Sequence, residues 1–416
     1  MKPESIFLLS HVTGPRIRYV VEELFERRLG LQVKWVKSLA EIPQGQFFIS
    51  YGVESGRICI PESVWLKEGT MQSKGFRPDQ AQSFKSESRH IWNLDILGMA
   101  FCLLSRLEEY EAGPTDNHGR FPFFQSLLAK NNLHESPWVD IWAFTLEKQL
   151  LEYGIVCQTS HFEESFSFDI DNPTAFRHKG LIRNMGGILT DIATGNTSRL
   201  KLRIGSNFGI YKDPYNTFDQ ILDWLAEQKQ QAIFFVWVGD YGQHDKGLTW
   251  QNPYIRKLIH RLAKDHLIGL HPSYRVFKEP KRLQMEKKRL ETLLGESVTH
   301  SRFHFLRFKI PGSYSHLIEA GFEKDYSMGF SNTLGFRAGT SRSFRFYDAN
   351  KEVSTNLDIQ PFSLMDSTAF YGLNLTQQEW NDRVIHFRQM LKVLNGRLDV
   401  VMHNDVSFHR YKPNSL

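Results

Sequence analysis

The chain has 416 residues, a formal net charge of +5, 41% apolar residues and 13% aromatic residues. This composition excludes a mostly disordered chain, and the length exceeds what one ordinary hydrophobic core organises, so two domains are expected. No basic stripe argues for nucleic acid, no apolar run approaches a membrane span, and Cys59, Cys102 and Cys157 are too widely spaced for a disulfide scaffold or a cysteine metal site.

In chain order, Ser5-Ile6-Phe7-Leu8-Leu9-Ser10 reads as a strand too short for a signal peptide, which predicts a cytoplasmic address. A helix through Val20–Phe25 and a strand over Leu31–Val36 follow, so residues 1–160 are expected to form a small α/β domain whose role the sequence does not assign. Charge then concentrates in Leu103-Leu104-Ser105-Arg106-Leu107-Glu108-Glu109-Tyr110, in Asp116-Asn117-His118-Gly119-Arg120-Phe121 and around Trp138, Asp140 and Trp142. An ion-pair network tying a helix to the second domain is the favoured reading, with glycan binding beside the tryptophans as the alternative. The boundary is expected near Gln158-Thr159-Ser160-His161.

From Ser165 onward strand-like and helical segments alternate. Strands are predicted at Ser165–Asp169, Gln231–Val238, His266–His271, Arg302–Phe308, Tyr326–Phe330, Asn356–Pro361 and Arg397–His403. Apolar residues at helical spacing, such as Phe218, Ile221, Leu222 and Leu225, or Trp380, Val384, Phe387 and Leu391, mark outer helices. Seven strands with intervening helices predict an α/β fold, a distorted (β/α)7 barrel over residues 161–416, in preference to an open doubly wound sheet. Residues 177–212 form a basic, Gly-containing insertion that is expected to order over the substrate.

Asp169 and Asp171 close the first of these strands in Phe168-Asp169-Ile170-Asp171. Crowded carboxylates raise each other's pKa unless a cation neutralises them, so the pair reads as a cation or proton site, or else as a turn that caps backbone groups. Later strands end in His271 and His403, and His304 lies in the predicted fourth strand. In a barrel those ends share one rim, where reactive groups gather.

The ordered motifs Phe168-Asp169-Ile170-Asp171, Gly269-Leu270-His271-Pro272-Ser273-Tyr274, Phe336-Arg337-Ala338-Gly339 and Met402-His403-Asn404 resemble those of the polysaccharide deacetylase superfamily of metal-dependent carbohydrate esterases. The chain is most similar to a bacterial branch with an added N-terminal domain, carrying Ser105–Tyr110 and His118–Phe121 ahead of the deacetylase region. The resemblance implies Asp169 as general base, Asp171 and His271 as metal ligands and His403 as general acid. It also implies an arginine that orients the base, for which Arg307 and Arg337 are the candidates, while Asp325 is a candidate to position the acid or simply a turn residue.

Two departures from the family pattern stand out. Ile170 separates aspartates that the family usually places side by side, so base and ligand are exchangeable. A histidine is expected four residues after His271, where this chain has Arg275, a side chain that does not ligate metals. Either His304 completes the site or the metal is weakly held or absent. The expected reaction is hydrolysis of an N-acetyl or related acyl group from an amino sugar or glycan precursor, assisted by a divalent metal, with Zn²⁺ the first choice. The alternatives are a degenerate glycan-binding barrel and a Mn²⁺-dependent nucleotide-sugar glycosyltransferase.

Overall fold

A computed structural model describes residues 4–69, 76–111, 113–405 and 408. The first sheet is built from β1 (Ser5–Ser10), β2 (Gln32–Val36), β3 (Phe48–Tyr51), β4 (Ile58–Ile60), β5 (Ser83–Ser86) and β6 (Arg89–Trp92). Their order is β2-β1-β3-β4-β6-β5, parallel except for the β5–β6 pair. Parallel neighbours need a crossover, and the helix Pro15–Val21, opened by a proline in its first turn and continued by Glu22–Arg28, supplies the one between β1 and β2.

The second sheet contains β7 (Glu163–Ile170), β8 (Ala232–Val236), β9 (Leu267–Leu270), β10 (His300–Ser301), β11 (Lys324–Asp325), β12 (Phe344–Asp348), β13 (Val353–Ile359), β14 (Leu364–Met365) and β15 (Arg397–His403). Its order is β12-β13-β11-β10-β9-β8-β7-β15-β14, and every pair is parallel except β12–β13. Leaving aside β12, the order follows the chain around a ring that is broken between β13 and β14. Of the expected distorted (β/α)7 barrel, the α/β fold with a largely parallel sheet forms but no closed barrel does: among the described residues β13 and β14 do not pair, and the antiparallel β12 flanks β13 instead.

The sheet nevertheless curls. Strands β7 and β10 are three positions apart, roughly 14 Å in a flat sheet at the usual inter-strand spacing. Yet Arg302, just after β10, places its Nη1 2.8 Å from the Asp169 carboxylate at the end of β7. Three parallel strands match their expected positions closely, because β8, β9 and β15 are almost wholly buried and read as apolar runs. No strand forms over Arg302–Phe308: the two-residue β10 ends at Ser301, and Phe305 and Leu306 adopt positive φ (60° and 49°), which turns the chain out of extended geometry.

A single apolar cluster runs through both sheets, from Ile6 and Leu24 in the first to Phe168, Leu357 and Val400 in the second. Buried ion pairs cross the same junction. Glu109 receives Arg106 Nε at 2.8 Å and Arg337 Nη2 at 2.7 Å, while Asp140 receives Ser341 Oγ at 2.6 Å and pairs with Arg28. Trp142 is core and Trp138 donates to the Leu133 carbonyl, so the charge-rich segments tie the sheets together. Residues 177–212, expected as a covering insertion, form two helices, Gly180–Ala193 and Thr197–Asn207. No helix among the described residues is long and apolar enough to cross a membrane.

Candidate metal centre and acid–base groups

Strand ends of the second sheet supply the site. Asp171 follows β7, His271 follows β9, and His304 opens the short turn after β10. Their ligand atoms lie within 4.8 Å of one another. His271 Nε2 is 3.0 Å and His304 Nε2 is 3.4 Å from Asp171 Oδ1. Despite that proximity Asp171 Oδ1 is a buried oxygen without an aligned hydrogen-bond donor, so the two imidazole nitrogens converge beside it without satisfying it.

The remaining ring nitrogens explain this orientation. His271 Nδ1 donates to the Arg302 carbonyl at 2.6 Å, and His304 Nδ1 faces Asp245 Oδ1 at 3.0 Å. Each contact places a proton on Nδ1 and leaves Nε2 as the atom turned to the cluster, the arrangement by which outer carboxylates and carbonyls orient metal-binding histidines. Asp245 is itself held by Trp237 Nε1 and the Tyr274 amide. Burial works to raise the Asp171 pKa, but His304 and His271 hold it well below the usual carboxylate range. Burial likewise works to lower the His304 pKa, while Asp171 and Asp245 push it up to about 9. The cluster draws positive charge, and a divalent ion with one oxygen and two nitrogen donors answers that demand.

Arg275 does not disturb it. Its side chain is exposed, packs beside Gly242 and does not line the cleft. The residue four positions after His271 has turned outward, and the third side chain within 4.8 Å of Asp171 and His271 is His304, from the neighbouring strand end.

Two acid–base groups flank the cluster. Asp169 is buried at the end of β7 and accepts from Arg302 Nη1; the same guanidinium donates to Ser167 Oγ at 2.8 Å and to the Tyr326 carbonyl at 3.0 Å. Arg302 thus stands where Arg307 or Arg337 was expected. Arg307 donates to the carbonyls of His118 and Tyr274 and stacks on the Tyr274 ring at 3.8 Å, and Arg337 is committed to Glu109. Both candidates are engaged by the N-terminal part of the chain, Arg307 at His118 and Arg337 at Glu109, while Arg302 is the arginine bonded to Asp169. On the other flank His403 Nδ1 lies 2.6 Å from Asp366, which also accepts the His403 amide. Burial opposes protonation of His403, but Asp366, Asp171 and Asp169 hold its pKa well above the usual histidine range. Asp325 lies elsewhere, accepting from Ser301 and Ser327.

These groups line a cleft of about 300 Å³ together with Arg120, Phe305, Leu306, Ser331, Met365 and Ser367. Arg120 comes from the N-terminal half, pinned by Asp116 at 2.7 Å and donating to the Phe305 carbonyl at 2.6 Å. Sequence reasoning missed Arg302, Asp245 and Asp366. Arg302 carried a usable signal, since it precedes His304 by two residues; Asp245 and Asp366 sit in loops with no pattern that marks them.

A family model described as a family of unknown function, DUF7033, matches residues 6–154. No curated protein matches the chain. Among solved structures, the chain is similar to a protein from Mycobacterium smegmatis assigned to the polysaccharide deacetylases, at 15% identity over 59% of this chain and 77% of that one, with a TM-score of 0.37. A polysaccharide deacetylase from Bacillus cereus is similar at 10% identity over 58% of this chain and 79% of that one, with a TM-score of 0.27.

Proposed function

We propose that the protein is a metal-dependent hydrolase that removes an N-acetyl or related acyl group from an amino sugar or glycan precursor. One observation carries this reading: Asp171, His271 and His304 converge within 4.8 Å between a buried carboxylate and a histidine held by a second carboxylate. The donor set fits a divalent ion such as Zn²⁺, because both histidines have their Nδ1 engaged and Asp171 Oδ1 lacks an aligned donor. Such an ion supplies polarisation of the acyl carbonyl and a lowered pKa for water.

The side chains carry the proton traffic. Asp169, held in place by Arg302 at 2.8 Å, accepts the proton of the attacking water. His403, kept protonated by Asp366, gives its proton to the departing amine, which an amide does not expel as an anion. Arg120 and Phe305 at the cleft wall offer a charged donor and an aromatic face for a sugar ring.

The test combines metal analysis with acetate release. Protein reconstituted with zinc, cobalt or nickel is expected to hold about one ion per chain and to release acetate from small N-acetylated sugars. His304→Ala should lose the metal, whereas Arg275→Ala should keep it. Asp169→Asn and His403→Ala should each cut release by roughly 10²-fold or more. Undiminished release in both, or binding of a nucleotide sugar with Mn²⁺ and none of an N-acetylated sugar, overturns the proposal.

A further inference from the structure

The hairpin that leaves β7 beyond Asp171 has its amphipathic faces the wrong way round for a globular surface. In the helix Gly180–Ala193 the buried residue is Asp191, and in Thr197–Asn207 the buried residues are Arg203, Gly205 and Ser206. Arg203 Nε meets Asp191 at 2.7 Å, and Asn184 and Asn207 exchange hydrogen bonds across the pair. Gly187 and Gly205 permit this closure: a Cβ at the first would collide with the Arg203 guanidinium, and one at the second with the Tyr211 ring. Asp191 and Arg203 are thus spent inside the hairpin.

The apolar groups face outward. Leu181 and Ile182 are 82% and 88% exposed, Leu189 67% and Phe208 80%, with Met185 and Ile192 also exposed. Positions 181, 182, 185, 189 and 192 fall on one stripe about 100° wide at helical periodicity. A surface helix normally turns such a stripe to the core, and isolated exposed leucines need no explanation, but a contiguous patch of this kind marks an interaction site.

Charge selects the occupant. Residues 177–212 contain Arg177, Lys179, Arg183, Arg199, Lys201, Arg203 and Lys212 against a single acid, Asp191. That acid is buried and paired, whereas Arg177, Arg199, Lys201 and Lys212 are exposed. An exposed apolar stripe on a hairpin that also exposes several cations is the pattern of a segment that lies in the headgroup region of an anionic bilayer. The hairpin is also anchored to the rim that bears the cleft. Asp213 accepts the amides of Ala175, Phe176 and Arg177, Arg183 donates to the carbonyls of Lys246 and Gly247 after β8, and Asn252 donates to the His178 carbonyl.

We infer that this hairpin docks the protein on an anionic phospholipid surface, holding the end of the second sheet that carries the cleft close to the headgroups. The inference stands on the hairpin and is independent of the reaction proposed for the cleft.

Vesicle flotation with the full chain tests it. The protein should float with phosphatidylcholine vesicles that contain phosphatidylglycerol, float poorly with phosphatidylcholine alone, and detach as salt rises from about 0.1 M to about 0.5 M. Ile182→Asp combined with Leu189→Asp should lower the partition coefficient roughly tenfold or more, as should Lys201→Glu with Lys212→Glu. Thermal melting checks that these exposed substitutions leave the fold intact, and Leu181→Gln with Met185→Gln gives a milder change of the same face should the aspartates unfold the hairpin. No flotation with anionic vesicles, or flotation equal in wild type and the folded variants, overturns the inference. So does a wild-type dimer in gel filtration that the apolar-face variants convert to monomer, since a second copy then covers the face.

Discussion

At the scale of single residues, the cleft holds histidines whose protonation is set by neighbouring carboxylates. Asp366 is the clearest case. Burial alone lowers the His403 pKa, so its place well above the ordinary range is owed to the Asp366, Asp171 and Asp169 carboxylates. Because the folded pKa is raised, His403 is protonated through neutral pH and loses its proton only in the alkaline range. Asp366→Asn removes the nearest of these charges while keeping the size of the side chain. The alkaline limb of the kcat/KM profile should then move to lower pH by roughly one unit or more, with the acid limb unchanged. A pH–rate series on the two proteins checks this; an unmoved alkaline limb would show that another group donates the proton.

At the scale of elements, the helix Lys281–Leu294 holds the loop that follows His271. Glu286 on its buried face accepts the Ser273 amide at 2.8 Å and Ser273 Oγ at 2.6 Å. Burial raises the Glu286 pKa to about 7 although both Ser273 hydrogen bonds pull it down. A carboxyl raised in the folded state contributes stability that is present below its unfolded pKa of about 4.5 and is lost as pH climbs through about 7. Full ionisation costs on the order of 3 kcal/mol. Glu286→Gln keeps an acceptor for the Ser273 amide and removes the ionisation, so its melting temperature should decline less between about pH 5 and pH 8 than that of the wild type. Parallel declines in a thermal-melt series would count against the assignment.

At the scale of the whole molecule, the two sheets share a continuous apolar core and a buried ionic junction. Glu109 is its centre, receiving Arg106 and both Nε and Nη2 of Arg337. Glu109→Ala leaves the buried Arg337 guanidinium without its carboxylate partner, while Arg106 keeps Glu108, and breaking such a buried pair costs about 3 to 5 kcal/mol. Denaturant unfolding should register that loss, whereas metal content of the folded fraction should hold, since Glu109 lies outside the metal cluster. Replacing Glu109 and Arg337 together with methionine should recover part of the stability, because the uncompensated charge goes with its partner.

The sequence by itself determined the elements whose environment is uniform along their length. Strands β8, β9 and β15 are buried runs of apolar residues, and strand-terminal Asp171, His271 and His403 stand out against them as polar groups that a core does not tolerate without partners. Tertiary structure decided the partnerships. Arg302 meets Asp169 across 133 residues, Asp245 meets His304 across 59 and Asp366 meets His403 across 37. The curl of the sheet sets the first, the loops after β8 and β10 the second and the β14–β15 pairing the third, and local periodicity carries no record of any of them. The choice of Arg302 over Arg307 and Arg337, the outward turn of Arg275 and the inverted faces of the 177–212 hairpin share this origin: each depends on what lies opposite a side chain in space, which spacing along the chain does not encode.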